Sequence, residues 1–228
     1  MAQMGKALRS MRAALPGSQF SRGVATLVTG TATAQLIVAL TAPILTRLYD
    51  PSAVGVFAVA SSMVSILIAV TCLRYEFAIP LPEADTAAAN VIALSILTNL
   101  LMSVLVGAVL WLIGPWLLAL FGASVLAPYV LLIALGQMGG GLMSAFTSWA
   151  VRTRSFSGIA ATRIVQSVVV VVSQVAFGII GLGAPGLLVG DVGGRLAGSL
   201  QLATAAWRGH ASALRGVTWA GIRHAARK

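Results

Sequence analysis

The stretch 186–207 carries two charged side chains, Asp191 and Arg195, within an otherwise uncharged run of apolar and small residues. The two residues are four positions apart, so a helix places them one turn apart on the same face. An arginine near the centre of a membrane helix costs about 2.5–3.5 kcal/mol if it faces lipid. We therefore expect Arg195 to face the interior of a helix bundle or a watery cavity, with Asp191 as its nearest partner.

Three interpretations of this pair remain open from the sequence. In the first, Asp191 and Arg195 form a structural ion pair that locks neighbouring helices together. In the second, Arg195 is a cation of a substrate cavity, where its five N–H donors bind an anionic group and Asp191 holds it in place. In the third, the apolar run is misplaced relative to the membrane.

Two further residues complete the candidate substrate-binding set. Gln35 lies in the middle of the first apolar run, and Arg47 follows the end of that run. Alternatively, a polar side chain inside a membrane helix can form a hydrogen bond to a neighbouring helix, and such a bond stabilises the bundle by about 0.6–2 kcal/mol. The same alternative holds for the polar residues of the later runs, which are Asn99, Gln137, Gln166 and Gln174.

The sequence contains no pattern typical of a catalytic site. It has no G-x-S-x-G, no P-loop and no H-E-x-x-H motif. Cys72 is its single cysteine, which excludes an internal disulfide and a CxxC metal site. The two histidines, His210 and His224, both lie near the C-terminal end. We therefore expect no enzymatic activity, no cofactor and no built-in metal centre.

Composition places most of the chain in lipid. Of the 228 residues, 58% are hydrophobic and 9% are charged, whereas a soluble domain carries about 25% charged residues. A membrane helix needs about 20 mainly apolar residues, and six runs are long enough. The sequence therefore predicts an all-α polytopic membrane protein with six transmembrane helices, at roughly 24–46, 52–73, 87–113, 125–150, 158–182 and 186–207.

The basic residues predict the orientation of these helices. Arg47 falls on one side of the six-span arrangement and Arg195 inside a span, while the other thirteen lysines and arginines fall on the opposite side. The positive-inside rule places that side, and both termini, in the cytoplasm. Residues 1–22 are then a basic cytoplasmic segment, 23–207 the membrane lobe, and 208–228 a basic cytoplasmic tail. Basic residues at the ends of apolar runs, rather than in one patch, do not favour nucleic-acid binding.

The stretch "CLRYEFAIPLPEAD" at 72–85 interrupts the apolar sequence and holds three of the five acidic residues. Its position predicts the cytoplasmic loop between the second and third spans. We expect Glu76 to offset Arg74 at the lipid–water boundary and Asp85 to cap the third span. The loop is then either an ordered elbow or a plain solvated connector.

Four strings, in order along the chain, carry a resemblance to a known family. They are "PILTRLYDPSAVGVFA" at 43–58, "LRYEFAIPLPEAD" at 73–85, "WAVRTRSFSGIAATRIVQSVV" at 149–169 and "GLLVGDVGG" at 186–194. Together they resemble the polysaccharide-export flippases, which are the O-antigen and exopolysaccharide flippases of the multidrug/oligosaccharidyl-lipid/polysaccharide exporter superfamily. The similarity covers about residues 20–207.

This resemblance implies a helical exporter with two six-helix lobes that face each other across a central cavity. It implies translocation of undecaprenyl-pyrophosphate-linked oligosaccharide across the bacterial inner membrane. The chain resembles the first lobe alone, so we expect it to act with a second lobe, a homodimer partner or polysaccharide assembly proteins, its basic tail being the connector. The alternatives are half of a multidrug-type antiporter, with Asp191 as the coupling acid, and a truncated remnant that transports nothing.

The orientation predicts how reporter fusions will behave. Fusions that end after Arg22, Arg154 and Lys228 should report a cytoplasmic location, because the positive-inside rule places all three points there. Fusions at Ser52 and Ala184 should report the opposite side and serve as the matched controls. A cytoplasmic signal from either control would contradict the six-span arrangement.

Overall fold

Nearly the whole described chain is helical. The computed structural model describes residues 16–71, 75–120 and 123–226, and within these ranges no β-strand occurs. Its α-helices there are α1 (Pro16–Leu48), α2 (Pro51–Thr71), α3 (Asp85–Leu112), α4 (Gly114–Leu120), α5 (Val130–Arg152), α6 (Phe156–Ile179), α7 (Ala184–Arg215) and α8 (Trp219–Ala225). Two short 3-10 helices, Tyr75–Ala78 and Ser124–Tyr129, precede α3 and α5. The predicted all-α class is confirmed.

Five helical segments in the described ranges have the length and apolar composition to cross a membrane. They are Ser21–Leu48, Pro51–Val70, Asp85–Leu112, Ser124–Arg152 and Phe156–Ile179. The predicted polytopic membrane class is therefore confirmed. Helix α7, the sixth predicted span, is 32 residues long. Its charged residues and its many glycines lower its mean hydropathy, and its crossing of the membrane stays a prediction.

The tryptophans show which surfaces face outward. Trp111, Trp116, Trp207 and Trp219 are exposed, as an aromatic belt at the membrane boundary requires. The position of Trp149 at the end of the fourth predicted span also favours a place in such a belt. This prediction is wrong, because Trp149 is 1% exposed and its indole packs in a core cluster formed mainly by α3, α5 and α7.

The helix boundaries follow the turn chemistry in most places. Helix α2 begins at Pro51, directly after Asp50, and α3 ends before the Gly114-Pro115 pair. The fourth predicted span begins instead with the 3-10 helix Ser124–Tyr129, because Pro128 lacks the N–H that an α-helix needs there. The short helix α4 was not predicted.

The sixth predicted span ends at residue 207, whereas α7 continues to Arg215. The backbone leaves helical geometry at His210, with φ −137° and ψ 35°, so α7 is kinked there. After the kink, α8 packs against α3, and the backbone N–H of Thr218 donates to Asn90 Oδ1 at 3.0 Å. The described part of the basic tail is thus ordered against the bundle.

Glycines along α7 allow α6 to approach its backbone closely. A Cβ atom placed on Gly190 would lie 2.7 Å from Gln174 Cγ, and one on Gly194 would lie 2.2 Å from Val170 Cγ2. Neither position has room for a side chain. The four-residue spacing of these glycines predicts such a groove, and the structure confirms it.

The run of three consecutive glycines in α5, Gly139–Gly141, has a similar packing role. A Cβ atom on Gly140 would lie 2.2 Å from Ile68 Cδ1, and one on Gly139 would lie 3.2 Å from Arg195 Cβ. From the sequence, these glycines and Pro43 are candidate kink or hinge sites. Both places lie inside continuous helices, since α5 runs from Val130 to Arg152 and α1 runs past Pro43 to Leu48, and a kink at either stays a prediction.

Buried polar side chains join helices at three points. Gln137 Nε2 of α5 donates to Asn99 Oδ1 of α3 at 3.1 Å, and Asn99 Nδ2 donates to the carbonyl of Met138 at 3.0 Å. Gln174 Nε2 of α6 donates to Leu187 O of α7 at 3.1 Å. These side chains form hydrogen bonds between helices, which is the structural one of the two interpretations that the sequence left open.

Arg152, the last residue of α5, holds the loop between α2 and α3. Its Nη1 donates to the carbonyls of Pro80 and Pro82, and its Nη2 donates to Glu83 O at 3.1 Å and to Asp85 Oδ1 at 2.8 Å. The Arg152 side chain is 11% exposed. The part of the loop that the structure describes is therefore an ordered elbow and not a plain solvated connector.

A specific contact was predicted for each of two acidic residues of this elbow, Asp85 and Glu76. Asp85 does not cap α3: the N-cap residue is Ala84, and Asp85 is the first helical residue, with its carboxylate turned to Arg152. The cap prediction was wrong because an arginine from a distant helix competes for the carboxylate. Glu76 is buried, and its expected partner, Arg74, lies outside the described residues.

The elbow predicts unequal effects of two substitutions on thermal stability. Arg152→Ala removes the donor to three loop carbonyls and should lower the free energy of unfolding by about 1.5–3 kcal/mol. Asp85→Ala removes one exposed ion pair and should cost about 0–1 kcal/mol. Melting temperatures of the detergent-purified variants measure the difference. Arg154→Ala, at an exposed neighbouring arginine, is the control. If Arg154→Ala lowers the melting temperature as much as Arg152→Ala does, the prediction is contradicted.

Candidate functional site

An open cavity of about 340 Å³ lies between α2, α5, α6 and α7. Its lining is half polar, in a bundle whose other surfaces are largely apolar. The lining residues are Ile68, Phe77, Gly140, Met143, Ser144, Thr147, Ser148, Arg163, Gln166 and Arg195.

Three helices contribute the polar lining. Helix α6 supplies Arg163 and Gln166, three residues apart on one face, and α7 supplies Arg195. Helix α5 supplies the three hydroxyls, those of Ser144, Thr147 and Ser148. The close contact between α6 and α7 brings the two arginines to the same cavity, although 32 positions separate them.

Arg195 forms the predicted pair with Asp191. The distance between Arg195 Nε and Asp191 Oδ2 is 2.8 Å, and the two side chains are 20% and 19% exposed. Asp191 occupies one edge of the guanidinium and is not among the residues that line the cavity. The guanidinium keeps its Nη donors in addition to the paired Nε–H. Arg195 therefore lines the cavity and is not sealed between helices.

The charges around the cavity favour an anion. Arg163 and Arg195 contribute two positive charges, and Asp191 offsets one of them from the side. No acidic residue lines the cavity. An anion that enters would find a net positive field and donors from two guanidinium groups, a side-chain amide and the hydroxyls of Ser144 and Ser148, while the Thr147 hydroxyl donates to Met143 O at 2.6 Å.

The other two predicted site residues lie elsewhere. Gln35 and Arg47 are exposed on α1 and do not line this cavity. Their proposed contact with a substrate stays a prediction. The structure adds Arg163 and Gln166, which were not among the predicted substrate-binding residues. Arg163 and Gln166 are three residues apart and begin one turn inside the fifth predicted span. This spacing on one helix face is the sequence signal that could have identified them as site residues.

A groove of about 640 Å³ between α1 and α6 is less suited to bind a polar ligand. Thr26, Thr29 and Thr33 line it, but the hydroxyls of Thr26 and Thr33 donate to backbone carbonyls of their own helix at 2.9 Å. Gly30 lets α1 approach Ala160 of α6 closely. Among the residues that the structure describes, no group of three His, Cys, Asp or Glu could hold a metal ion.

Comparison with known families identifies the chain. Residues 44–213 match the family described as "Polysaccharide biosynthesis protein". The chain belongs to this family. The match covers most of the chain, including every residue that lines the two-arginine cavity, and it confirms the resemblance found in the sequence. No curated protein and no solved structure gave a match. A role in polysaccharide synthesis or export follows from the family.

The cavity predicts a pattern of cysteine labelling. Cys72 is the only cysteine, so Cys72→Ser gives a background into which single cysteines can be placed. Ser144→Cys and Thr147→Cys should react with a charged thiol reagent, because water in the cavity allows the thiolate to form. Leu101→Cys, on an exposed apolar surface, and Ser103→Cys, which is buried, should react far more slowly. Equal rates at all four positions would contradict a water-filled cavity.

Proposed function

We propose that this protein translocates an undecaprenyl-pyrophosphate-linked oligosaccharide across the bacterial inner membrane, as one half of a transporter. The observation that carries the proposal is the cavity in which Arg163 and Arg195 meet beside three hydroxyls. The family supplies the polysaccharide context. The finer assignment to flipping of a lipid-linked substrate rests on the chemistry of that cavity.

Two arginines suit a pyrophosphate better than they suit a neutral sugar. A guanidinium binds phosphate oxygens through charge-assisted, often bidentate hydrogen bonds. Arg163 and Arg195 come from different helices, so they can approach one anion from two directions. Ser144 and Ser148 on the facing helix offer hydroxyls of the kind that bind sugar or phosphate oxygens.

The ion pair favours this function over the antiporter alternative. An antiporter half would use Asp191 to bind a proton or a sodium ion, which requires a carboxylate that is available to the ion. In the structure, Asp191 Oδ2 is held by Arg195 Nε at 2.8 Å. The carboxylate thus has a partner already, and its simplest role is to fix the orientation of Arg195.

The proposal includes partners and a place in the cell. The chain acts in the inner membrane with both termini in the cytoplasm, together with a second lobe, a second copy or polysaccharide assembly proteins. Gln35 and Arg47, exposed on α1, would meet the substrate from the side of that partner. The activity is transport and not catalysis, and nucleic acid has no part in it.

Complementation of polymer export tests the proposal. In a strain that lacks this gene, Arg195→Ala and Arg163→Ala should each lower export about 10- to 100-fold, because each removes a charged donor worth about 1.5–3 kcal/mol. Arg195→Lys should retain part of the export. Arg223→Ala, an exposed arginine of α8, is the control. Lipid-linked oligosaccharide should accumulate on the cytoplasmic side.

Two outcomes would contradict the assignment. Export by Arg195→Ala equal to that of the wild type would remove Arg195 from the substrate path and leave its pair with Asp191 as packing. Failure of the wild-type gene, in its native locus, to support any export would favour the truncated remnant.

A further inference from the structure

In the described part of the chain, helix α1 is attached to the bundle mainly through α6. The two helices lie side by side, because Gly23 and Gly30 of α1 have no side chains. A Cβ atom on Gly23 would lie 2.5 Å from Phe156 Cδ2, and one on Gly30 would lie 2.4 Å from Ala160 Cβ. Beside this line of contact lies the groove of about 640 Å³. It shares no lining residue with the two-arginine cavity.

Most of the groove presents hydrocarbon. Ala25 of α1 lines it, together with Ala160 and Ile164 of α6. The hydroxyls of Thr26 and Thr33, which also line the groove, donate to backbone carbonyls of their own helix at 2.9 Å. These hydroxyls are therefore satisfied without a ligand. The groove suits a hydrocarbon chain better than it suits a sugar.

One end of the groove carries a positive charge. Arg22 lines this end and is exposed. Neither of the two ion pairs found among the described residues includes Arg22. The sequence holds no acidic residue before Asp50 and none within α6. No acidic side chain of α1 or α6 can therefore neutralise the Arg22 guanidinium, whose N–H donors can bind the oxygens of an anion.

The length of the groove matches one leaflet of the membrane. Its lining on α1 extends from Arg22 to Thr33, and a helix rises about 16 Å over that distance. The hydrocarbon core of a bilayer is about 30 Å thick, so one leaflet contributes about half of that thickness. The predicted orientation places Arg22 at the cytoplasmic boundary. A chain that begins at Arg22 would thus reach the middle of the membrane.

We propose that this groove holds one anionic phospholipid of the cytoplasmic leaflet. The headgroup phosphate binds Arg22, and one acyl chain lies between α1 and α6. A cation at one end, followed by hydrocarbon over the thickness of one leaflet, matches such a lipid in charge and in length. The undecaprenyl chain of the proposed substrate is longer than the groove, so the groove favours a phospholipid. This site is separate from the proposed transport path.

The bound lipid would stabilise the attachment of α1. Few side chains of α1 are buried in the structure. An acyl chain that fills the groove touches both helices, so it adds contacts between α1 and α6 that the protein does not make by itself. Binding of the lipid should therefore raise the melting temperature of the chain.

Thermal denaturation of the full chain in neutral detergent tests the site. Phosphatidylglycerol at about ten times its dissociation constant should raise the melting temperature by about 3–6 °C. Phosphatidylcholine with matched acyl chains has no net charge and should give a clearly smaller shift at the same concentration. Glycerol 3-phosphate has no acyl chain and should give none. Equal shifts with the two lipids, a full shift with glycerol 3-phosphate, or no shift with phosphatidylglycerol would each overturn the proposal.

Matched arginine variants connect the headgroup to Arg22. Arg22→Gln removes a charged donor, so it should weaken phosphatidylglycerol binding about 10-fold and reduce the shift to that given by phosphatidylcholine. Arg223→Gln makes the same change at an exposed arginine of α8, outside the groove, and should leave the shift intact. Equal shifts in the two variants would show that the headgroup binds elsewhere and would overturn the proposal.

Matched alanine variants connect the acyl chain to the groove. Ala25→Phe places an aromatic ring in the groove and should reduce the shifts with both lipids. Ala39→Phe makes the same change on α1 beyond the end of the groove and should leave both shifts intact. Both alanines are exposed, so neither substitution disturbs a packed core. A wild-type shift in Ala25→Phe would overturn the proposal.

Native mass spectrometry of the chain extracted from its membrane identifies the occupant. The wild type should retain one phosphatidylglycerol, and Arg22→Gln should lose it. A lipid-free dimer that dissociates on Ala25→Phe would assign the groove to a second copy of the chain and overturn the proposal. Arg163 and Arg195 do not line the groove, so its failure would leave the transport assay unaffected.

Discussion

The close approach of α6 to α7 is the contact on which the rest of this bundle depends. In lipid, helices gain little from hydrophobic association, so small residues that admit close packing must supply the attraction. At Gly190 and Gly194 the backbone of α7 lies directly against Gln174 and Val170. This contact also fixes the rotation of α6 about its axis. That rotation decides that Arg163 and Gln166 point to the cavity of Arg195 and not to the lipid.

The Asp191–Arg195 pair solves a problem that a single charge could not. An arginine alone in a membrane helix is expensive, and an ion pair that is fully sealed loses its hydration with little net gain. In this structure both side chains are about one-fifth exposed, beside an open cavity. The guanidinium is thus held at one edge and solvated at the other. Such a group is oriented before any ligand arrives, which lowers the ordering cost of binding.

The sequence alone predicted the long helices and one residue pair of the site, Asp191 and Arg195. Long apolar runs leave few options in lipid, so hydropathy located the spans, and the four-residue spacing located Asp191 beside Arg195. Arg163 was not predicted as a site residue because its direction depends on the rotation of α6, which the glycines of another helix determine. The burial of Trp149 depends largely on residues of α3 and α7 about 60 positions away, and the contact of Arg152 with Pro82 spans 70 positions. No local pattern encodes such contacts.

The hold of Arg152 on the elbow has a mechanical consequence. Helices α3 and α5 are joined at two heights, by Arg152 at their ends and by the Asn99–Gln137 bond in the middle. Two attachment points along the helix axes oppose both sliding and separation of α3 and α5, so the two helices behave as one rigid unit. Secondary transporters alternate by rocking rigid units against each other. In the transport function proposed above, such a motion would carry the elbow together with α3 and α5, and the bundle would deform in helices outside this pair.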